Sequence, residues 1–239
     1  VLMSGDAVHL FTPTGGFGMN TSVDDVANLA WKLSALYHGW GGRKLIESYE
    51  LERRPIAERN LAQSYALAEI KSNIAVPEGI ENSGPEGNQI RKDLGNRFMS
   101  ELAEEYKCIG IQLGSQYLSS PLIADDGSDP PNDDPYVFLP SAFPGCRAPH
   151  VWMEDGSALF DHFGKWFTLL RFDRKTPIEK FEFAAAALGI PLKVLTVSKF
   201  IQNIYRSNLV LIRPDQYVAW RGDSSFSNPE NLLKRVSGH

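Results

Sequence analysis

A glycine-aspartate pair followed closely by a glycine-rich stretch is the part of this sequence best equipped for chemistry. Gly5-Asp6 ends an apolar run, Val1-Leu2-Met3, and Pro13-Thr-Gly-Gly-Phe-Gly-Met-Asn20 comes shortly after. A carboxylate at the end of a strand can accept hydrogen bonds from sugar hydroxyls. Glycines beyond it let backbone approach a flat ligand, and the free amides opening the next helix can receive negative charge. The plain alternative is a strand-loop-helix connection that binds nothing, and the pattern alone gives the two readings equal standing.

Other reactive residues carry less. His9, His150 and His162 invite a catalytic reading, and Asp161-His162 looks like half of a hydrolase triad. No serine stands in a nucleophile-elbow context, however, and adjacent residues on a strand or helix point apart. His9 reads as a packed or loop histidine. Arg53 and Arg54 are expected to pair with Glu50, Glu52 or Glu58 along a helix surface rather than to bind a nicotinamide phosphate. Asn20-Thr21-Ser22 matches a glycosylation sequon, expected to go unused at a ligand-facing loop without a secretory signal. Cys108 and Cys146 are too few and too far apart for a disulfide scaffold, a CxxC redox pair or a zinc site, so no metal is expected.

These residues need elements to hold them. Residues 1–3 read as a buried strand with no preceding loop, which points to a chain that continues upstream. Ser22 can cap a helix with Asp24 and Asp25 in its first turn. Val26, Leu29, Ala30, Leu33, Leu36 and Tyr37 then follow at helical spacing until Gly39-Trp-Gly-Gly42. A second helix is expected over about 43–75, with Pro55 as a kink or restart. Residues 76–92 read as a mobile loop, 94–106 as a short helix and 109–117 as a strand. The aspartate- and proline-rich run 125–135 marks a domain boundary.

The last hundred residues read as a compact α/β unit with its own core. Strands are expected at 166–172 and 192–197, and Arg213-Pro-Asp-Gln216 joins two more as a hairpin. A helix over 177–188 would be capped by Thr176 with Pro177 at its first position, and Asn228-Pro229-Glu230 opens a closing helix.

The balance of the chain agrees with a globular protein. It has 239 residues, 43% hydrophobic and 22% charged, and a net charge of −5. At roughly 100–200 residues per domain, that is one large domain or two small ones. No basic stripe speaks for nucleic acid and no apolar run is long enough to span a bilayer. A reducing cytoplasm is the expected compartment.

Several motifs together resemble a known family. Gly5-Asp6-Ala7-Val8-His9, the loop 13–20 and Asp24-Asp25-Val-Ala-Asn-Leu-Ala-Trp-Lys-Leu33 are similar to the second flavin-contacting segment of FAD-dependent aromatic hydroxylases. These are the single-component flavoprotein monooxygenases that include phenol, chlorophenol and polyketide hydroxylases. Tyr49-Glu-Leu-Glu-Arg-Arg-Pro-Ile-Ala57 resembles the helix that follows in that family. Phe143-Pro-Gly-Cys-Arg-Ala-Pro-His150, Gly164-Lys-Trp-Phe-Thr-Leu-Leu170 and the stretch 211–222 resemble its thioredoxin-like C-terminal domain.

The resemblance implies an α/β fold, the C-terminal part of a FAD-binding Rossmann-like domain followed by a thioredoxin-like domain. Residues 1–75 would be the flavin part, 76–139 a connector and 140–239 the thioredoxin-like domain, redox-inactive because Cys146 stands alone. It also implies that Asp6 bonds the ribityl or ribose hydroxyls of FAD and that Pro13 lies beside the isoalloxazine. Gly16, Gly18, Met19 and Asn20 would offer backbone to the pyrimidine edge, and the helix from Thr21 would stabilise the charge there. Phe17 departs from the pattern, since many members carry Gln between these glycines. The implied reaction is hydroxylation of a small phenolic substrate with O2, using NADPH or NADH. The implied partners are the upstream part of the same enzyme and, as one option, a second copy of the chain. Halogenation or epoxidation on the same fold stays open, as does a non-catalytic binding or dimerisation module.

Overall fold

The computed structural model describes residues 1–224 and 228–239. Its centre is a four-stranded mixed sheet in the order β2-β1-β3-β4. Strands β1 (Phe167–Arg171) and β2 (Leu192–Thr196) run parallel, joined by α5 (Glu179–Leu188). Strand β3 (Leu209–Ile212) runs antiparallel to β1, and β4 (Val218–Gly222) antiparallel to β3. Between β2 and β3 lies α6 (Lys199–Tyr205), an element beyond those expected; Ser198 caps it by accepting the Phe200 amide. The closing helix α7 (Pro229–Val236) starts as expected, with Asn228 accepting from Asn231.

The sheet is covered on both faces, so β3 is apolar along its whole length. Phe167, Leu169 and Leu211 face Phe181, Ala184, Leu232 and Leu233 of α5 and α7. The alternate positions Leu170, Val210 and Ile212 face Ile201 and Tyr205 of α6, with Leu159 and Val151. Trp31, Ala35, Trp40 and Leu45 join the first of these clusters, so the N-terminal helices and the sheet share one core.

Those helices are α1 (Phe17–Tyr37) and α2 (Lys44–Ser72). Helix α2 runs through Pro55, which lies on the exposed side, where water can take the carbonyl bond that proline leaves unmade. Helix α1 starts straight off the glycine loop, six residues earlier than a Ser22 cap would place it. Ser22 sits inside the helix and donates to the Gly18 carbonyl at 3.0 Å, and Asp24 and Asp25 lie beyond the first turn.

The apolar stripe expected to be the packed face of α1 is in large part exposed: Val26, Leu33 and Tyr37 are 53%, 43% and 88% accessible. Its buried face is instead Thr21, Asp25, Asn28, Trp31, Lys32 and Ala35. This inversion is affordable because α2 offers an equally polar face, with Glu52, Arg53 and Asn60 bonded to buried side chains of α1.

Other expectations are corrected. Residues 1–3 are coil, since no strand of the described residues lies beside them to pair; the Tyr49 hydroxyl donates to the Met3 carbonyl at 3.0 Å. The stretch 76–92 is not all loop: α3 (Pro85–Glu101) opens inside it, on a proline at the first helical position. In place of a strand over 109–117 stands α4 (Ile109–Leu113), a short apolar run whose period does not separate the two states. Helix α5 begins at Glu179, so Thr176 and Pro177 precede it and do not cap it.

The end of the chain closes on the α1–α2 turn. Gly42 donates to the Ser237 carbonyl at 2.7 Å, Lys44 to that of Gly238 at 3.0 Å, and His239 Nε2 lies 3.2 Å from the Trp40 carbonyl. The approach is so close that a Cβ on Gly42 would sit 2.2 Å from the Gly238 oxygen.

Candidate functional site

The glycine loop and the Gly5-Asp6 turn both lie against the start of α1 and are held from behind by a buried polar network. Pro13 and Thr14 enter a 3-10 turn, and Gly16, left-handed at φ 66°, passes directly into α1. A Cβ on Gly16 would meet nothing within 4 Å. Asp6, Pro13, Gly16, Met19 and Asn20 are all exposed there, and Gly18 is half-buried against Phe11. Five of the six expected contact residues are thus open to solvent. The Asn20 side chain donates to the Gly16 carbonyl at 2.8 Å, bracing the turn.

Phe17 points the other way. It is 4% exposed and packs with Leu67, Cys108 and Ile111, so its side chain leaves the loop's outer surface free. Gly15 is required beneath it, because a Cβ there would lie 2.4 Å from the Phe17 ring. The Gly15 amide donates to Glu105 at 3.0 Å, and that bond is the chief cause of the lowered Glu105 pKa. From α2, the Ser64 hydroxyl lies 2.6 Å from that of Thr12 and 3.1 Å from the Thr14 carbonyl.

Behind Asp6 stands Asp25, with its side chain 2% exposed. Its Oδ2 accepts the Gly5 amide at 3.1 Å and lies 2.7 Å from His9 Nε2; its Oδ1 accepts Arg53 Nε at 2.8 Å. Arg53 is therefore buried with Asp25 and not on the helix surface, whereas Arg54 does pair with Glu50 and Glu58 in solvent. Arg53 also donates to the Tyr117 hydroxyl at 3.0 Å. Burial would lower the Arg53 pKa, but Tyr117 and Asp25 raise it, so the guanidinium stays charged. His9 is a packed histidine, as expected, with Nδ1 buried and unpartnered.

A second network lies one to two turns further along α1 and gathers on Glu52, the residue before Arg53 on α2. Glu52 accepts Asn28 and Lys32 from α1, each at 2.7 Å, and a bidentate pair from Arg213 at 2.7 and 2.8 Å. Arg213 also holds Asp215, which accepts the Trp31 indole at 3.1 Å. Two carboxylates and two cations thus balance in a sealed site where Lys32, Glu52 and Arg213 side chains are 0% exposed. Burial would raise the Glu52 pKa, but Arg213, then Lys32 and Asn28, hold it well below the usual range. Burial draws the Lys32 ammonium down to about 8 against the pull of Glu52. Asp25, Asn28 and Lys32 recur at three- and four-residue spacing, a signal in the sequence for one polar helix face. Nothing local said that this face would be the buried one.

The half-triad does not assemble. Ser157 Oγ lies 2.6 Å from His162 Nε2 and 2.5 Å from Asp155 Oδ1. The hydroxyl has one proton and Asp155, ionised, can only accept, so His162 donates its Nε2 proton and cannot be a base toward Ser157. Cys146 and Cys108 are both free and buried. Among the described residues no cluster of ligands could hold a metal.

The donor set of the open surface fits a flavin. An exposed carboxylate suits sugar hydroxyls, an unobstructed left-handed glycine suits a flat ring, and the start of a long helix suits an electron-rich edge. Residues 1–64 match the family model described as FAD binding domain, and residues 141–239 match the one described as aromatic-ring hydroxylase, C-terminal. The FAD-dependent monooxygenase opdD of Penicillium oxalicum is 36% identical over the whole of this chain, which covers 48% of that protein. Among solved structures, RebC with bound 7-carboxy-K252c superposes with a TM-score of 0.90 at 34% identity, covering 100% of this chain and 45% of that one. The flavin-dependent monooxygenase PieE in complex with FAD and substrate gives 0.79 at 26% identity, covering 98% and 47%. The chain spans about half the length or less of the curated relatives it matches.

Proposed function

We propose, from this chain's membership of the FAD-dependent aromatic-ring hydroxylase family, that it forms part of an enzyme that hydroxylates a small phenolic substrate with O2. FAD, when bound, supplies the redox chemistry, and NADPH or NADH is its reductant in this reading. The observation that carries it is the open glycine loop running straight into α1, with Asp6 exposed beside it.

The chain's own part is binding and electrostatics. Asp6 accepts hydrogen bonds from the ribityl or ribose hydroxyls. Pro13 lies against the ring system, and Gly16, Gly18, Met19 and Asn20 present backbone to its pyrimidine edge. The positive end of α1 stabilises negative charge arriving there; that end is Phe17, not Thr21. A side chain at position 17 has no place in this contact, since Phe17 is turned into the core.

The last unit is read as thioredoxin-like, supported by its βαβαββα order and by β3 running against both neighbours. The division at 75 and 139 follows the course of the chain, although its first and last parts share a core. Buried free thiols at Cys108 and Cys146 accord with a reducing compartment.

The test is Asp6→Ala in the full-length protein. One charge-assisted hydrogen bond is worth roughly 1.5–3 kcal/mol. FAD affinity is therefore expected to fall at least about tenfold with the fold intact. Unchanged flavin retention through gel filtration would overturn the assignment.

A further inference from the structure

We propose that Asp25 is the positioning residue for the Asp6 carboxylate, and that the C-terminal unit sets its geometry through Arg53 and a stacked tyrosine pair. The proposal rests on the reading of Asp6 as the residue that bonds FAD hydroxyls.

Asp25 grips the chain on both sides of Asp6. Its Oδ2 takes the Gly5 amide at 3.1 Å, one residue before, and His9 Nε2 at 2.7 Å, three residues after. Asp6 projects from the short 3-10 turn between these two anchors and is itself exposed. Gly5 makes the grip possible. It is left-handed at φ 62°, and a Cβ there would lie 2.9 Å from Ser22 Oγ, so only glycine brings this backbone against α1. The turn closes on the same residue, with the amides of Val8 and His9 donating to the Gly5 carbonyl at 2.9 and 3.2 Å.

Asp25 cannot hold this place alone, because a buried unpaired carboxylate is strongly unfavourable. Arg53 neutralises it, and Arg53 is aimed by what lies behind it. Its second nitrogen donates to the Tyr117 hydroxyl at 3.0 Å. The Tyr117 ring stacks on that of Tyr217 with centroids 4.1 Å apart. Tyr217 lies beside β4 in the C-terminal hairpin, with its hydroxyl 2.5 Å from Ser115. A continuous path of polar bonds and one ring stack therefore runs from that hairpin to the residues flanking Asp6. Every member is at least nine-tenths buried, so solvent cannot substitute for a missing link.

The experiment is a double-mutant cycle on FAD affinity in the full-length protein, read by flavin fluorescence, with circular dichroism as the check on folding. Asp25→Asn keeps the shape and removes the charge; it is expected to weaken FAD about tenfold. In an Asp6→Ala background the same change should have almost no further effect, because the carboxylate being positioned is gone. Equal losses in both backgrounds would make Asp25 a general structural residue and overturn the proposal. So would a loss with Asp6→Ala but none with Asp25→Asn, a result that leaves the flavin reading standing. No loss with Asp6→Ala would overturn both.

Tyr117→Phe covers the case in which Asp25→Asn fails to fold, since it keeps the stacked ring and deletes only the hydroxyl. It should weaken FAD about threefold, again only when Asp6 is present. Unchanged affinity in Tyr117→Phe would refute the link to the C-terminal unit.

Discussion

Glu52 collects hydrogen bonds from α1, from the turn between β3 and β4, and from Ser120 in the connecting loop. Removing its charge leaves Lys32 and Arg213 buried with only Asp215 to balance them. Glu52→Gln is therefore expected to cost about 3–5 kcal/mol in urea unfolding. The acid dependence follows from the lowered pKa. The unfolded carboxyl titrates near 4.5 and the folded one well below it, so the stabilisation is complete above pH 4.5 and drains away as pH falls beneath it. The gap between wild type and Glu52→Gln should narrow in acid; a gap independent of pH would mean that packing, not charge, decides it. Cys146 gives the opposite kind of prediction. Burial pushes its thiol up to about 12, so almost no thiolate exists at neutral pH. Iodoacetamide should leave it unlabelled in the native protein, and rapid alkylation would contradict the buried placement.

Helices show most clearly what could and could not be read ahead of the structure. The existence of α1 and α2, the hairpin and α7 follows from periodicity, turn residues and caps. The outward face of α1 does not, because hydrophobic spacing at Val26, Leu33 and Tyr37 names an apolar side without saying what covers it. The polar side was buried because its charges found partners far away in sequence, at Arg53, Glu52 and Arg213, and no local window contains that fact. The site divides the same way. The residues of the open loop follow from glycine placement and family likeness, whereas Asp25, three places after Ser22, signals only a helix start. Glycines on these elements give paired predictions. Gly42→Ala should destabilise by about 1–3 kcal/mol, as its Cβ meets the Gly238 carbonyl. Gly95→Ala, in the interior of α3 with open space around it, should stabilise by about 0.5–1 kcal/mol. Urea midpoints moving in the same direction would refute the pair.

Across the whole molecule, the N-terminal helices and the C-terminal sheet are two contributors to one core. Trp31 and Trp40 both lie edge-on to Phe167 of β1, with centroids 6.1 and 6.0 Å away. Residues 140–239 expressed alone have their strands and caps but lose that cover. Each large side chain withdrawn from burial is worth roughly 1.5–3 kcal/mol, so the isolated unit should unfold at a clearly lower urea concentration than the 239-residue chain. Equal midpoints would show that the shared core adds nothing. The seam between the α1–α2 turn and residues 237–239 makes the same connection visible from outside. Lys44 and His239 stand almost two hundred positions apart in the chain and a hydrogen bond apart in space. For anyone attaching a dye or a spin label they are a single address: a reporter fixed at His239 would sense every movement of the turn that starts α2.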